Sequence, residues 1–118
     1  MAIERFEDLR VWQVAQDYAV RIYRLTKSFP EDERFGMIIQ MRRCVNSISA
    51  NIAEGFGRRT INDKSHFYTM AYGSILETKN FLYLSERLDY TKRQTIEPLL
   101  NDGTALQKQI NALVTSLK

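Results

Sequence analysis

The chain has 118 residues, 44% of them hydrophobic, a single cysteine, and seventeen Lys and Arg against fourteen Asp and Glu, for a formal net charge of +3. A domain of this size hides roughly two-thirds of the surface its unfolded chain exposes, so this much apolar material closes one core without staples; the lone Cys44 excludes an internal disulfide and fits a reducing compartment. No run of about 18 apolar residues is present to span a membrane, and Met1-Ala2-Ile3-Glu4-Arg5 carries an early acid and no apolar stretch behind it, unlike a secretion signal, so a cytoplasmic protein is expected.

The first predicted helix covers 7–28. Val11, Ala15, Tyr18, Ile22, Leu25 and Phe29 recur at steps of four and three and share one face, which Trp12, Ala19 and Tyr23 widen. Arg10, Gln13, Asp17, Arg21 and Arg24 take the other side. Glu7 and Asp8 suit the positive helix start, and Pro30 ends the segment by disfavouring helical backbone at Phe29. The second helix, 31–56, opens on Pro30 and three acids, carries Ile38, Met41, Val45, Ile48 and Ile52 as its apolar stripe, and stops at Gly55 and Gly57. Gly36 is placed to divide it into a short turn and a longer helix.

Thr60 with Asp63 resembles a capping box for a third helix, 61–88. Phe67, Ala71, Ser74, Thr78, Phe81, Ser85 and Leu88 keep a seven-residue pattern, and Tyr68, Tyr72, Leu76 and Tyr83 form a second stripe around the helix. A four-helix bundle asks each helix for one buried stripe. The surplus reads equally well as a rim of half-exposed tyrosines or as an interface with another subunit. The fourth helix, 92–117, has Thr91 and Gln94 as a capping pair and runs through Ile96, Leu99, Gly103, Leu106, Ile110, Leu113 and Leu117. Pro98 and Gly103 predict a kink or a late start. Short connections between the segments favour antiparallel neighbours, so the fold class is all-α, a single up-and-down four-helix bundle.

Catalytic chemistry is not in view. His66 is the only histidine, and Asp63-Lys64-Ser65-His66 supplies at most half of a bundle metal site. Cys44 and His66 are too few for zinc. Gly55-Phe56-Gly57 reads as a turn, not a phosphate loop, and no nucleophile motif stands out. No enzyme activity, metal or cofactor is expected. On the second helix, Gln40, Cys44, Ser47, Asn51 and Glu54 form a small polar stripe; Arg43 and Glu54 lie near its edge, and Glu77 is in reach on the third. Because an unpaired buried carboxylate costs several kcal/mol, a buried structural network of Arg43, Asn51, Glu54 and Glu77 is expected, with a ligand pocket at Asn51 and Glu54 as the alternative. Ser47, Ser49, Ala50 and Ala53 would let a neighbouring helix approach closely. Between Arg34 and Lys64 six basic residues face two acidic ones, a local charge of +4; this is either a solvated helix face or a surface for phosphate.

Several runs then coincide with a known pattern: Phe6-Glu7-Asp8-Leu9-Arg10-Val11-Trp12, Phe29-Pro30 with Glu33-Arg34-Phe35-Gly36, Gln40 to Cys44, Asn51 to Arg58, and Ala71-Tyr72-Gly73-Ser74 with Glu77. The chain closely resembles the bacterial four-helix bundle proteins encoded within intervening sequences of large-subunit ribosomal RNA genes. The likeness runs from Phe6 to the C-terminus, weakly after Leu88, and Asn51 to Arg58 is its most specific part. Members are similar in fold to the accessory variability determinant protein of diversity-generating retroelements, a homopentameric basic barrel that binds nucleic acid and a reverse transcriptase. The resemblance implies a homopentamer with Tyr68, Tyr72, Leu76 and Tyr83 at the subunit interface. It also implies binding of structured nucleic acid, RNA ahead of DNA, with Arg42, Arg58, Arg59 and Lys64 as first contacts and Arg21 and Arg24 extending the surface. The rival reading is a scaffold that holds a protein partner such as a polymerase. Two departures stand out: the net charge is modest, and Ser49-Ala50 occupies a place where many members have proline.

Overall fold

Leu9 and Gly36 set where the first two helices begin. In the computed structural model, which describes residues 2–118, Phe6–Asp8 is a separate 3₁₀ turn, Leu9 is extended with its side chain buried, and helix α1 spans Arg10–Thr26. A second 3₁₀ turn, Glu31–Glu33, precedes α2, Met37–Gly57. The segment expected at 31–56 is thus divided at Gly36. A Cβ there would lie 2.7 Å from Oε1 of Glu33, so a larger residue would have to displace that carboxylate. That carboxylate does the capping, its Oε1 accepting from the Met37 N–H at 3.1 Å and its Oε2 from the Tyr90 hydroxyl at 2.6 Å. Phe29 packs beneath, its ring centroid 5.5 Å from that of Tyr90.

The Tyr90 hydroxyl and the Met37 N–H hold the Glu33 carboxyl below the ordinary value of 4.5. A depressed folded pKa adds stability above the unfolded value, lost as pH falls through the depressed one. Urea midpoints measured from about pH 7 down to about pH 3 should therefore fall less steeply for Glu33→Gln than for wild type on the acid side of the ordinary carboxylate range.

Thr60 caps α3, Ile61–Arg87, its Oγ1 accepting from the Asp63 N–H at 3.1 Å. The helix ends in a Schellman turn: the Tyr90 N–H reaches the Ser85 carbonyl and the Asp89 N–H the Glu86 carbonyl, both at 2.9 Å. Asp89 takes the left-handed conformation, φ 63°, where glycine is usual. Helix α4 spans Arg93–Ser116 without a break at either Pro98 or Gly103. Pro98 sits on an exposed side. Gly103 is buried, and a Cβ there would lie 3.1 Å from the Tyr18 hydroxyl and 3.3 Å from the Lys79 stem. That hydroxyl is buried without a partner among the described residues, and burial pushes the phenol pKa up.

Helices α1 and α2, α2 and α3, α3 and α4, and α4 and α1 pack as neighbours, which leaves α1 and α3 on opposite corners of the bundle. The centre is filled by Tyr18 and Ile22 of α1, Met41, Val45, Ile48 and Ile52 of α2, Ile75 and Leu82 of α3, and Ile96, Leu106 and Ile110 of α4. One expectation is corrected here. On α3 the buried line is Tyr68, Ala71, Ile75, Thr78, Leu82 and Ser85; Phe67, Ser74 and Phe81 are half-buried, and Leu88 is exposed. Ala71, Thr78 and Ser85 of the expected stripe are buried, but the face that α3 turns to α2 and α4 is completed by Tyr68, Ile75 and Leu82 instead of Phe67, Ser74, Phe81 and Leu88.

Candidate nucleic-acid interface

The turn between α2 and α3 projects from the tightest helix pair of the bundle. Along that pair small side chains meet in sequence. The Ser47 hydroxyl donates to the Ser74 oxygen at 2.5 Å, Cys44 Sγ and Thr78 Oγ1 are 3.2 Å apart, and Ser85 Oγ lies 3.3 Å from the Met37 sulfur. At the end nearest the turn, Gly55 lies directly against the Tyr68 ring, where a Cβ would meet ring carbons at 2.7 and 2.9 Å. The seam fixes the exit of α2 and hence the position of Arg58 and Arg59.

Arg58 lies over the Phe67 ring, Cζ 4.5 Å from its centroid, and pairs loosely with Glu54 at 3.6 Å. Arg59 is exposed. The His66 ring meets Phe67 edge-on at 5.5 Å, so the Arg58 guanidinium lies on one of two adjoining rings, next in sequence to exposed Arg59. The N-terminus of the 27-residue α3 opens at the same place, adding partial positive charge and unpaired backbone N–H groups. Lys64 faces inward: its Nζ donates to the Phe56 carbonyl at 2.6 Å and closes the C-terminal end of α2.

The other predicted cations do not join them. Arg42 lies sixteen residues before Arg58 on α2, about 24 Å along the axis. Its Nε donates to Thr26 Oγ1 at 3.0 Å, its Nη2 to the Tyr23 carbonyl at 3.3 Å, and its guanidinium stacks 4.6 Å from the Tyr23 centroid. It braces the end of α1. Arg21 is paired with Asp102 of α4. Arg24 is exposed and lines a groove between α1 and α2. The six cations therefore do not form one surface.

The buried network of Arg43, Asn51, Glu54 and Glu77 does not form. Arg43, Glu54 and Glu77 are exposed, while half-buried Asn51 donates to the Ser47 carbonyl of its own helix at 2.8 Å. The seam is too closely packed to admit charges, which stay in water at lower cost. In the second stripe of α3, Tyr68 is 1% exposed and belongs to its own subunit's core, and so is withdrawn from the interface set. Tyr72 is half-buried, and Leu76 and Tyr83 are exposed, Tyr83 beneath Arg93 at 5.4 Å. Sequence reasoning missed the Gly55–Tyr68 contact and the fully projecting Phe35, 79% exposed beside the Arg34 guanidinium. The Phe35-Gly36 pair was the available signal, since a glycine that starts a helix leaves the residue before it outside the packed face.

These features define an all-α protein: a four-helix domain with a basic, ring-flanked turn at one end. The chain belongs to the family of 23S rRNA-intervening sequence proteins, whose family model matches residues 7–112. Among solved structures it is similar to a protein of unknown function from the S23 ribosomal protein family of Bacteroides thetaiotaomicron. That likeness has 29% identity and a TM-score of 0.78, and covers 88% of this chain and 97% of that one. None of the curated proteins matches this chain. No helix among the described residues is long and apolar enough to cross a membrane.

Proposed function

We propose that this chain is a self-associating, non-enzymatic, cytoplasmic module that grips structured nucleic acid, RNA first, by its phosphates. The observation that carries the reading is the α2–α3 turn, where exposed Arg59 and the ring-stacked Arg58 flank the N-terminus of α3. Backbone N–H groups, helix dipole and guanidinium groups together suit an anion. Phosphate contacts position without reading sequence, so binding is largely sequence-independent. Each chain carries +3, and assembly multiplies that field. The pentameric number rests on the likeness to the retroelement protein.

The test is a salt series on a structured RNA, comparing wild type with the Arg58→Ala, Arg59→Ala double variant. Removing two phosphate contacts should weaken binding about tenfold at moderate salt and lower the slope of log K against log salt by roughly 1.5 per engaged subunit. Equal affinity at low salt removes the turn from the interface. Wild-type protein that purifies free of nucleic acid and bound to a polymerase-type protein would favour the scaffold instead.

A further inference from the structure

Two surfaces of the subunit expose apolar side chains that nothing among the described residues covers. The first is a groove of about 410 Å³ between α1 and α2, floored by Ala19, Val20 and Tyr23 and edged by Arg24, Lys27 and Asn46. Val20 is 47% exposed, and the residues lining the groove include two cations and no carboxylate. The second is the outward side of α3, a ridge of Met70, Leu76 and Leu84, exposed by 39%, 49% and 40%. Its outward charge is Glu77, because Lys79 is turned to α4 and held by Thr104 and Gln107.

Gly73 lies in the middle of this ridge. A Cβ there would meet no atom within 4 Å, so the subunit itself has no need of a glycine. A glycine inside a helix is costly relative to alanine, and its use is to let another backbone come close. On this side of α3 nothing among the described residues comes within 4 Å of that Cβ position.

We infer that these faces are the two halves of one contact between copies: the α3 ridge of one subunit, with Gly73 at its centre, seats in the α1–α2 groove of the next. Glu77 then meets the Arg24 and Lys27 edge, an apolar ridge fills an apolar floor, and the two groove cations gain a carboxylate. Helix axes approach to about 8–10 Å when the side chains between them are small. The small Ala19 in the groove and Gly73 on the ridge satisfy that condition. Because α1 and α3 occupy opposite corners, the two faces point in different directions. The contact is head-to-tail and each copy uses both faces, the arrangement that closes into a ring or extends into a filament. Pairing α3 with α3 would leave the groove open. The assignment rests on the self-association proposed above and names its faces.

The test uses the full chain, nuclease-treated, with molar mass read by light scattering. Val20→Asp disables the groove at an exposed position, and Gly73→Trp disables the ridge where the subunit has open space. Each variant alone should fall to the mass of one subunit. Mixed in equal amounts they should form a species of two subunits, because one copy still offers a ridge and the other a groove. Retention of the wild-type assembly by Val20→Asp, or a mixture that stays at one subunit, overturns the assignment of faces while leaving self-association standing. A wild-type chain that is itself a single subunit at high concentration removes both.

Discussion

Gly55→Leu is expected to lower stability by about 3 kcal/mol, at the top of the range for overpacking a filled core. Even the first added carbon would lie 2.7 Å from one Tyr68 ring carbon and 3.0 Å from the Phe67 Cβ. Neither can retreat. The Tyr68 side chain is fully buried among core residues, and the Phe67 Cβ moves only with the α3 backbone. The gain in helix propensity from replacing glycine, about 1 kcal/mol, offsets part of the cost and does not reverse it. Urea denaturation of Gly55→Leu, Tyr68→Ala and the double variant forms the cycle that checks this. The double variant should be clearly more stable than the sum of the single losses, because the leucine then occupies space the ring vacated. Strict additivity would show that the two residues do not share a contact.

Arg42→Ala should destabilise the fold by about 2 kcal/mol and leave the salt dependence of RNA binding unchanged. The guanidinium is half-buried and holds a hydroxyl and a carbonyl at the end of α1 while stacking on Tyr23. Hydrogen bonds involving a charged group contribute about 1.5–3 kcal/mol, and their loss strands the partners left behind. Arg42→Lys keeps the charge but loses the planar fork, so it should recover little stability. If Arg42→Lys instead restored both stability and RNA affinity, Arg42 would be a phosphate contact as first read from the sequence.

How far the sequence could be read differs from helix to helix, and the reasons are physical. In α1 the apolar stripe through Val11, Ala15, Tyr18 and Ile22 is the buried face, because each of those residues is apolar and the opposite side is charged. In α3 the same logic found part of the buried face, Ala71, Thr78 and Ser85, and missed the rest. Thr78 and Ser85 are buried with their hydroxyls donating to carbonyls one turn back, at 2.8 and 2.7 Å. Such locally satisfied hydroxyls belong to a core, and the expected stripe included both; it lacked Ile75 and Leu82, each one position on from Ser74 and Phe81, because a seven-residue spacing fits either of two adjacent lines. The second helix failed differently. Spacing put Arg43, Asn51, Glu54 and Glu77 within reach of one another, but spacing carries no information about how closely two backbones approach. With Ser47 against Ser74 and Gly55 against Tyr68 there was no volume for carboxylates. The basic turn was legible because Gly57-Arg58-Arg59-Thr60 combines a stop, two cations and a cap. The dispersal of Arg21, Arg24 and Arg42 was not, since their partners Asp102 and Thr26 are chosen by tertiary packing.

The small-residue seam also contains the only sulfhydryl of the chain. Cys44 is 4% exposed, its sulfur lies against Thr78, and burial raises its pKa. A closed thiol of this kind reacts only when α2 and α3 part. Its rate of modification by an excess of a small alkylating reagent therefore times the breathing of the pair of helices that carries the basic turn. No foreign label is needed to compare the free protein with its RNA-loaded or assembled form.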